Sequence, residues 1–121
     1  MCFALLAGTC LSAPSFAQKG DAAALSVKIR DLGRAGKYAE ATALAQAQLE
    51  SLEKKFGPAH RDVGSALSNL GHAYANQGRD GDAEPLYKRA IAILEKTVGS
   101  DSREVAAAMT NLAAMYQRQE R

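Results

Sequence analysis

The chain has no tryptophan, only two cysteines in 121 residues, and no apolar run of bilayer length. Each absence removes a class of explanation. Cys2 and Cys10 both lie within the first ten residues, so the rest of the chain has no thiol for a disulfide, a nucleophile or a metal ligand. A membrane-spanning helix needs about 20 consecutive apolar residues, and the stretch from Phe3 to Ala13 is shorter. The formal net charge is +2, and Lys and Arg are interspersed with Asp and Glu, which argues against a nucleic-acid groove. No glycine-rich phosphate loop, nucleophile beside a base, or pair of convergent carboxylates can be found. Asp80-Gly81-Asp82 lacks the alternating oxygen ligands and distant Glu of a calcium loop and reads as a helix cap. His60 and His72 are isolated, with no His-x-x-x-His pair for a metal. His60 reads as a turn residue. No cofactor, metal or catalytic residue is expected.

Residues 1–17 differ from the rest of the chain. They carry no charge, and an apolar stretch is followed by Pro14 and then Ser15-Phe16-Ala17, with small residues at the two positions that a signal peptidase reads. This is the pattern of an export signal, with the mature chain starting near Gln18 in the periplasm or outside the cell. No Lys or Arg precedes the apolar run, so the natural start is expected to lie upstream. Two other readings are a buried or disordered N-terminus and a lipoprotein signal acylated at Cys10, where Thr9 is larger than the usual preceding residue. After cleavage neither cysteine remains, and no membrane association is expected.

What is present is a repeat. Gly36, Ala41, Leu44, Leu52, Gly57, Val63, Ala66, Asn69, Leu70, Tyr74 and Gln77 recur 42 residues later as Gly78, Ala83, Leu86, Leu94, Gly99, Val105, Ala108, Asn111, Leu112, Tyr116 and Gln119. A fixed period of this length signals a stacked array, whose units cannot bury their apolar faces alone.

Apolar residues follow helical spacing from Asp21 onward. Val63, Ala66, Leu67, Leu70, Ala73 and Tyr74 share one face of a helix over 61–77 that Gly78 stops. Asp80 is expected to cap the next helix, which carries Ala83, Leu86, Tyr87, Ala90, Ile91 and Leu94 and ends near Gly99. Asp101-Ser102-Arg103-Glu104 has capping-box spacing before Val105, Ala108, Met109, Leu112, Met115 and Tyr116. One period back, helices are predicted over 21–35 and 37–56. Small residues recur at Gly71 and Ala113 and at Ala41 and Ala83. They let paired helices approach so that Leu70, Tyr74, Leu86 and Tyr87 interlock, and a bulky side chain at Gly71 is expected to break the unit.

These residues resemble the tetratricopeptide repeat in the long-period form of kinesin light chains. The resemblance rests on Val63 to Tyr74, Gln77-Gly78-Arg79, Asp82 to Ala90, Ile93 to Lys96 and Val98-Gly99, and covers Gly36 to Gln119. It implies an all-α solenoid of antiparallel helix pairs, about two and a half repeats, with units at 21–57, 61–99 and a partial 102–121. The first helix matches poorly, since Lys28 stands where Leu70 and Leu112 stand later; an atypical first unit suits a cap.

In that family the first helices of successive units line a concave groove that holds a peptide or extended segment of a protein. The resemblance assigns the groove to Ser65, Ser68, Asn69, His72 and Asn76, to Thr110, Asn111, Ala114 and Arg118, and on the first helix to Ser26, Arg30 and Arg34. Asn69 and Asn111 matter most, because a carboxamide can donate to a peptide carbonyl and accept from its N–H. The alternative is that they only tie neighbouring helices together. The arginines would attract an acidic partner or a C-terminal carboxylate, although arginines on helical repeats are more often simply solvated. The implied function is a non-catalytic scaffold, or else the recognition arm of a larger enzyme such as a caspase-like protease. The last helix is expected to expose Leu112, Met115 and Tyr116, so that the natural protein continues or the chain self-associates.

Overall fold

The computed structural model describes residues 19–120. The expected export signal and both cysteines lie outside the described residues. Five helices follow one another: α1 (Lys19–Arg34), α2 (Tyr38–Phe56), α3 (Arg61–Asn76), α4 (Asp80–Thr97) and α5 (Arg103–Gln119). Among the described residues there is no strand, and the fold is the all-α solenoid of about two and a half helix pairs.

The repeated glycines set the turns. Gly36 and Gly78 end first helices, and Gly57 and Gly99 end second helices, each with a positive φ that a side chain rarely adopts. At Gly78 its N–H reaches the Ala75 carbonyl at 3.0 Å and the Arg79 N–H reaches Tyr74 at 2.9 Å. Gly36 and Lys37 repeat this pair of bonds onto Gly33 and Leu32, which is a Schellman stop at both ends.

Two expected caps are corrected. Arg79, not Asp80, is the N-cap of α4, and it makes no side-chain cap bond; Asp80 already lies in the first turn, where its charge favours the helix dipole. At α5 the cap is Ser102, one residue beyond the expected Asp101, and its Oγ accepts the Val105 N–H at 3.2 Å. His60 is more than a turn residue: it caps α3 by accepting the Asp62 N–H on Nδ1 and stacks on Phe56.

Each apolar cluster spans three consecutive helices. Ile29, Ala41, Ala45, Leu70 and Ala73 join α1, α2 and α3. Leu52, Val63, Ala66, Leu67, Ala90 and Ile93 join α2, α3 and α4. Ala75, Ala83, Tyr87 and Met115 join α3, α4 and α5. No unit owns its core, which is the physical content of the repeat. Ile93, not the expected Ile91, is the isoleucine buried from α4.

Tyrosines one period apart tie each unit to the one before. Tyr74 on α3 accepts from Gln46 Nε2 of α2 at 2.8 Å, and Tyr116 on α5 donates to Glu84 of α4. The Tyr116 hydroxyl and then the Lys88 ammonium hold the Glu84 carboxyl below the usual carboxylate range. Ion pairs of Arg89 with Glu53 at 2.8 Å and of Arg61 with Glu104 at 3.0 Å also cross between units; exposed pairs of this kind contribute at most about 1 kcal/mol each.

The expected apolar face of α5 is also corrected. Met115 is fully buried, and Leu112 and Tyr116 pack half-buried beside it. The open face carries Met109, 49% exposed, flanked by Ala106 and Ala113. These stand one period after Leu67, Gly64 and Gly71, the positions on α3 that α4 covers.

Candidate functional site

First helices contact first helices, α1 with α3 and α3 with α5, while α2 and α4 pack behind them. This brings the expected groove residues onto three neighbouring helices. Ser65, Ser68, Asn69, His72 and Asn76 are half-buried on α3. On α5, Asn111 is half-buried, whereas Thr110, Ala114 and Arg118 are exposed. Ser26 is half-buried on α1, and Arg30 and Arg34 are exposed there.

Their bonds sort them. Asn69 Nδ2 donates to Ser26 Oγ at 3.1 Å, and Gln48 Nε2 of α2 donates to the same hydroxyl at 3.1 Å. Asn69 therefore does tie neighbouring helices, the alternative role that its chemistry allows. That bond uses its amide nitrogen and leaves the carbonyl oxygen its capacity to accept. Asn111 makes no corresponding bond among the described residues. Thr110 donates to the Ala106 carbonyl of its own helix at 2.8 Å, so its proton is already committed.

The cationic residues surround His72. Asn76 Nδ2 lies 3.5 Å from His72 Nδ1. Burial first, and then the Arg118, Arg30 and Arg34 guanidiniums, hold the His72 imidazole below its ordinary value of 6.5. Arg118 reaches back to the Ala75 carbonyl at 3.4 Å and to Asp80 at 3.5 Å. Arg34 has Asp31 at 4.0 Å.

Two further polar residues, Gln48 and Gln77, lie outside the expected groove set. Gln48 is nearly fully buried, and Gln77 donates to Thr42 Oγ1 at 2.6 Å and to the Tyr38 carbonyl at 3.1 Å. The recurrence of Gln77 at Gln119 is the signal that could have found it; Gln48 has Ala90 one period later and gives none.

Among the described residues, no group of three or more His, Cys, Asp or Glu side chains converges as a metal site, and no helix is long and apolar enough to cross a membrane. A stack of helix pairs sharing cores across units, with a polar face built from its first helices, defines a helical-repeat interaction protein. The chain belongs to the tetratricopeptide repeat family, whose profile matches residues 21–96 and, one unit on, 62–121. Repeats of this family commonly mediate protein–protein interaction. No curated protein matches the chain.

Proposed function

We propose that this protein is an exported, non-catalytic scaffold that holds an extended segment of a protein partner along its first-helix face, in the manner of the long-period arrays of kinesin light chains. Export rests on the charge-free, signal-like residues 1–17. The binding reading rests on Asn69 and Asn111, half-buried one period apart on neighbouring first helices. Two carboxamides so placed can hold backbone amides of an extended chain without reading its sequence.

Replacing both Asn69 and Asn111 by Ala is expected to weaken partner capture about tenfold or more, at about 1 kcal/mol per lost hydrogen bond, with helicity by circular dichroism unchanged. Asn111→Ala alone is the control, because Asn111 ties no neighbouring helix among the described residues. Full capture in Asn111→Ala with loss in Asn69→Ala would reduce Asn69 to a structural tie.

The exposed Met109, with Ala106 and Ala113 beside it, is a second contact surface, through which the chain self-associates. Met109→Glu is expected to abolish concentration-dependent association in sedimentation velocity while changing stability by no more than about 0.5 kcal/mol, as surface substitutions do. A wild-type chain that sediments as a monomer at its highest soluble concentration would remove this reading.

A further inference from the structure

We infer that a second copy of this chain covers the open face of α5 with its own α5, the two helices running antiparallel about a two-fold axis that passes between Met109 and Thr110. The inference rests on the self-association reading above and adds its geometry: which helix docks, in which direction and in which register.

The direction follows from the repeat. One period before Ala106, Met109 and Ala113 stand Gly64, Leu67 and Gly71 on α3, and α4 covers them. A Cβ at Gly64 would meet Leu94 and one at Gly71 would meet Tyr87, so α4 descends as α3 ascends. Leu67 between them is fully buried in one cluster with Ala90 and Ile93. Among the described residues nothing covers the corresponding face of α5, where Ala106 and Ala113 are exposed and Met109 is 49% exposed. An antiparallel helix is the cover that this face is built to take.

The register follows from the face itself. Ala106 and Ala113 are two helical turns apart and stand nearly in line, with Met109 between them. Turned end over end, the same face sets Ala106 against Ala113 of the other copy, twice, and lays each Met109 over the gap between the other copy's two alanines. Such a contact is isologous, the same patch serving on both copies. Alanines at both crossings let the helix axes approach to about 8 Å.

The charges agree. Between Glu104, which Arg61 holds at 3.0 Å, and Arg118, α5 carries no charge. Arg103 at one end of the helix and Glu120 at the other are exposed and have no ion pair among the described residues. Antiparallel pairing brings Arg103 of each copy within about one helical turn of Glu120 of the other, and it opposes the helix dipoles. Parallel pairing would set like charges side by side. The rival seat for Met109 is the groove between α1 and α2, lined by Leu32, Ala43, Leu44 and Ala47. Lys28 lines that groove too, and the uncharged middle of α5 offers it no partner; covering an unpaired ammonium is costly.

The test uses the whole chain with Cys2→Ser and Cys10→Ser, which removes its two native thiols, and adds Ala106→Cys or Ala113→Cys at these exposed positions. With axes about 8 Å apart, facing Cα atoms come within the about 4.4–6.8 Å that a disulfide spans. Position 106 of one copy stands about 10 Å along the axis from position 106 of the other, beyond that reach. Mild oxidation of an equimolar mixture, with one variant carrying a mass tag, should therefore give the mixed dimer on a non-reducing gel. Either variant alone should give little, and adding Met109→Glu to both should remove the cross-link.

Cross-linking of each variant with itself as readily as with the other overturns the antiparallel register. Association in sedimentation velocity without the mixed cross-link overturns it too and leaves self-association standing; loss of that association in Leu44→Glu then seats Met109 in the groove between α1 and α2. A chain that sediments as a monomer removes the self-association reading itself, and the pairing with it.

Discussion

Gly64→Leu and Gly71→Leu should each abolish the cooperative thermal transition of this chain. A Cβ at Gly64 would stand 2.9 Å from Leu94 Cγ, 3.0 Å from Leu94 Cδ2 and 3.2 Å from Ile93 Cγ2. Leu94 is buried, and Cγ is its branch point rather than a free end, so α4 itself would have to move. At Gly71 a Cβ would meet the Tyr87 ring at 3.1 to 3.3 Å. That ring is fully buried and would have to give by a few tenths of an ångström even for a single methyl group. An entire leucine side chain at either site has no space along the α3–α4 seam, the interface between the two helices of the central unit. Overpacking by even a few methylenes typically costs about 1–3 kcal/mol, and a side chain that parts two helices forfeits the apolar burial on both.

The alanine variants grade the effect. Replacing a mid-helix glycine by Ala gains about 0.5–1 kcal/mol of intrinsic helix stability. At Gly71 that gain roughly offsets a small ring displacement, so Gly71→Ala should lie within about 1 kcal/mol of wild type. At Gly64 the closer contact wins, and Gly64→Ala should lose about 1–2 kcal/mol. Urea unfolding followed by circular dichroism measures both. A stable, cooperative Gly64→Leu would mean that α4 slides on α3 at little cost.

The interlock at Gly71 and Tyr87 is legible in the sequence because a small residue recurs at Ala113. Gly64 recurs as Ala106 in the same way, so the tighter contact carries the same signal, although it does not stand out beside Gly71. Other features depend on neighbours that periodicity does not name. Ile91 and Ile93 are equally apolar, and only the placement of α3 against α4 decides which is buried. On α5 the helical pattern marks Met109 and Met115 alike, yet Met115 faces Tyr87 whereas Met109 faces outward. At the site, repeat alignment puts Val27 opposite Asn69, but the bond runs to Ser26. Arg61 with Glu104 and Arg118 with Ala75 are likewise 43 residues apart, so successive first helices meet one residue off the repeat alignment and one-period arithmetic misses by that residue. His72 and the three arginines are legible as groove positions through the repeat, whereas the effect of all three charges on one ring depends on the stacking of α1, α3 and α5.

Tyr87→Ala should cost about 3–5 kcal/mol, the range found when large buried aromatics are truncated. Single domains are commonly stable by about 5–15 kcal/mol, so this one change would remove a large part of the whole. Tyr87 is the largest of the fully buried side chains, and it belongs to the cluster that holds α5 on the stack through Ala75, Ala83 and Met115. Its loss therefore acts on two interfaces: α4 against α3, where the ring fills the space beside Gly71, and α4 against α5. Tyr87→Phe should do the opposite. Among the described residues the Tyr87 hydroxyl is buried with no hydrogen-bond partner, and burial pushes its ionisation far above the ordinary phenol value. A hydroxyl buried without a partner costs about 1–3 kcal/mol. Deleting it while keeping the ring should leave stability unchanged or raise it by up to about 2 kcal/mol, measured as the urea midpoint at constant m-value. A loss of more than about 1 kcal/mol in Tyr87→Phe would show that the hydroxyl is bonded in solution. A small loss in Tyr87→Ala would mean that α5 docks without the ring, and that its hold rests on Val105, Ala108 and the Tyr116 bond to Glu84.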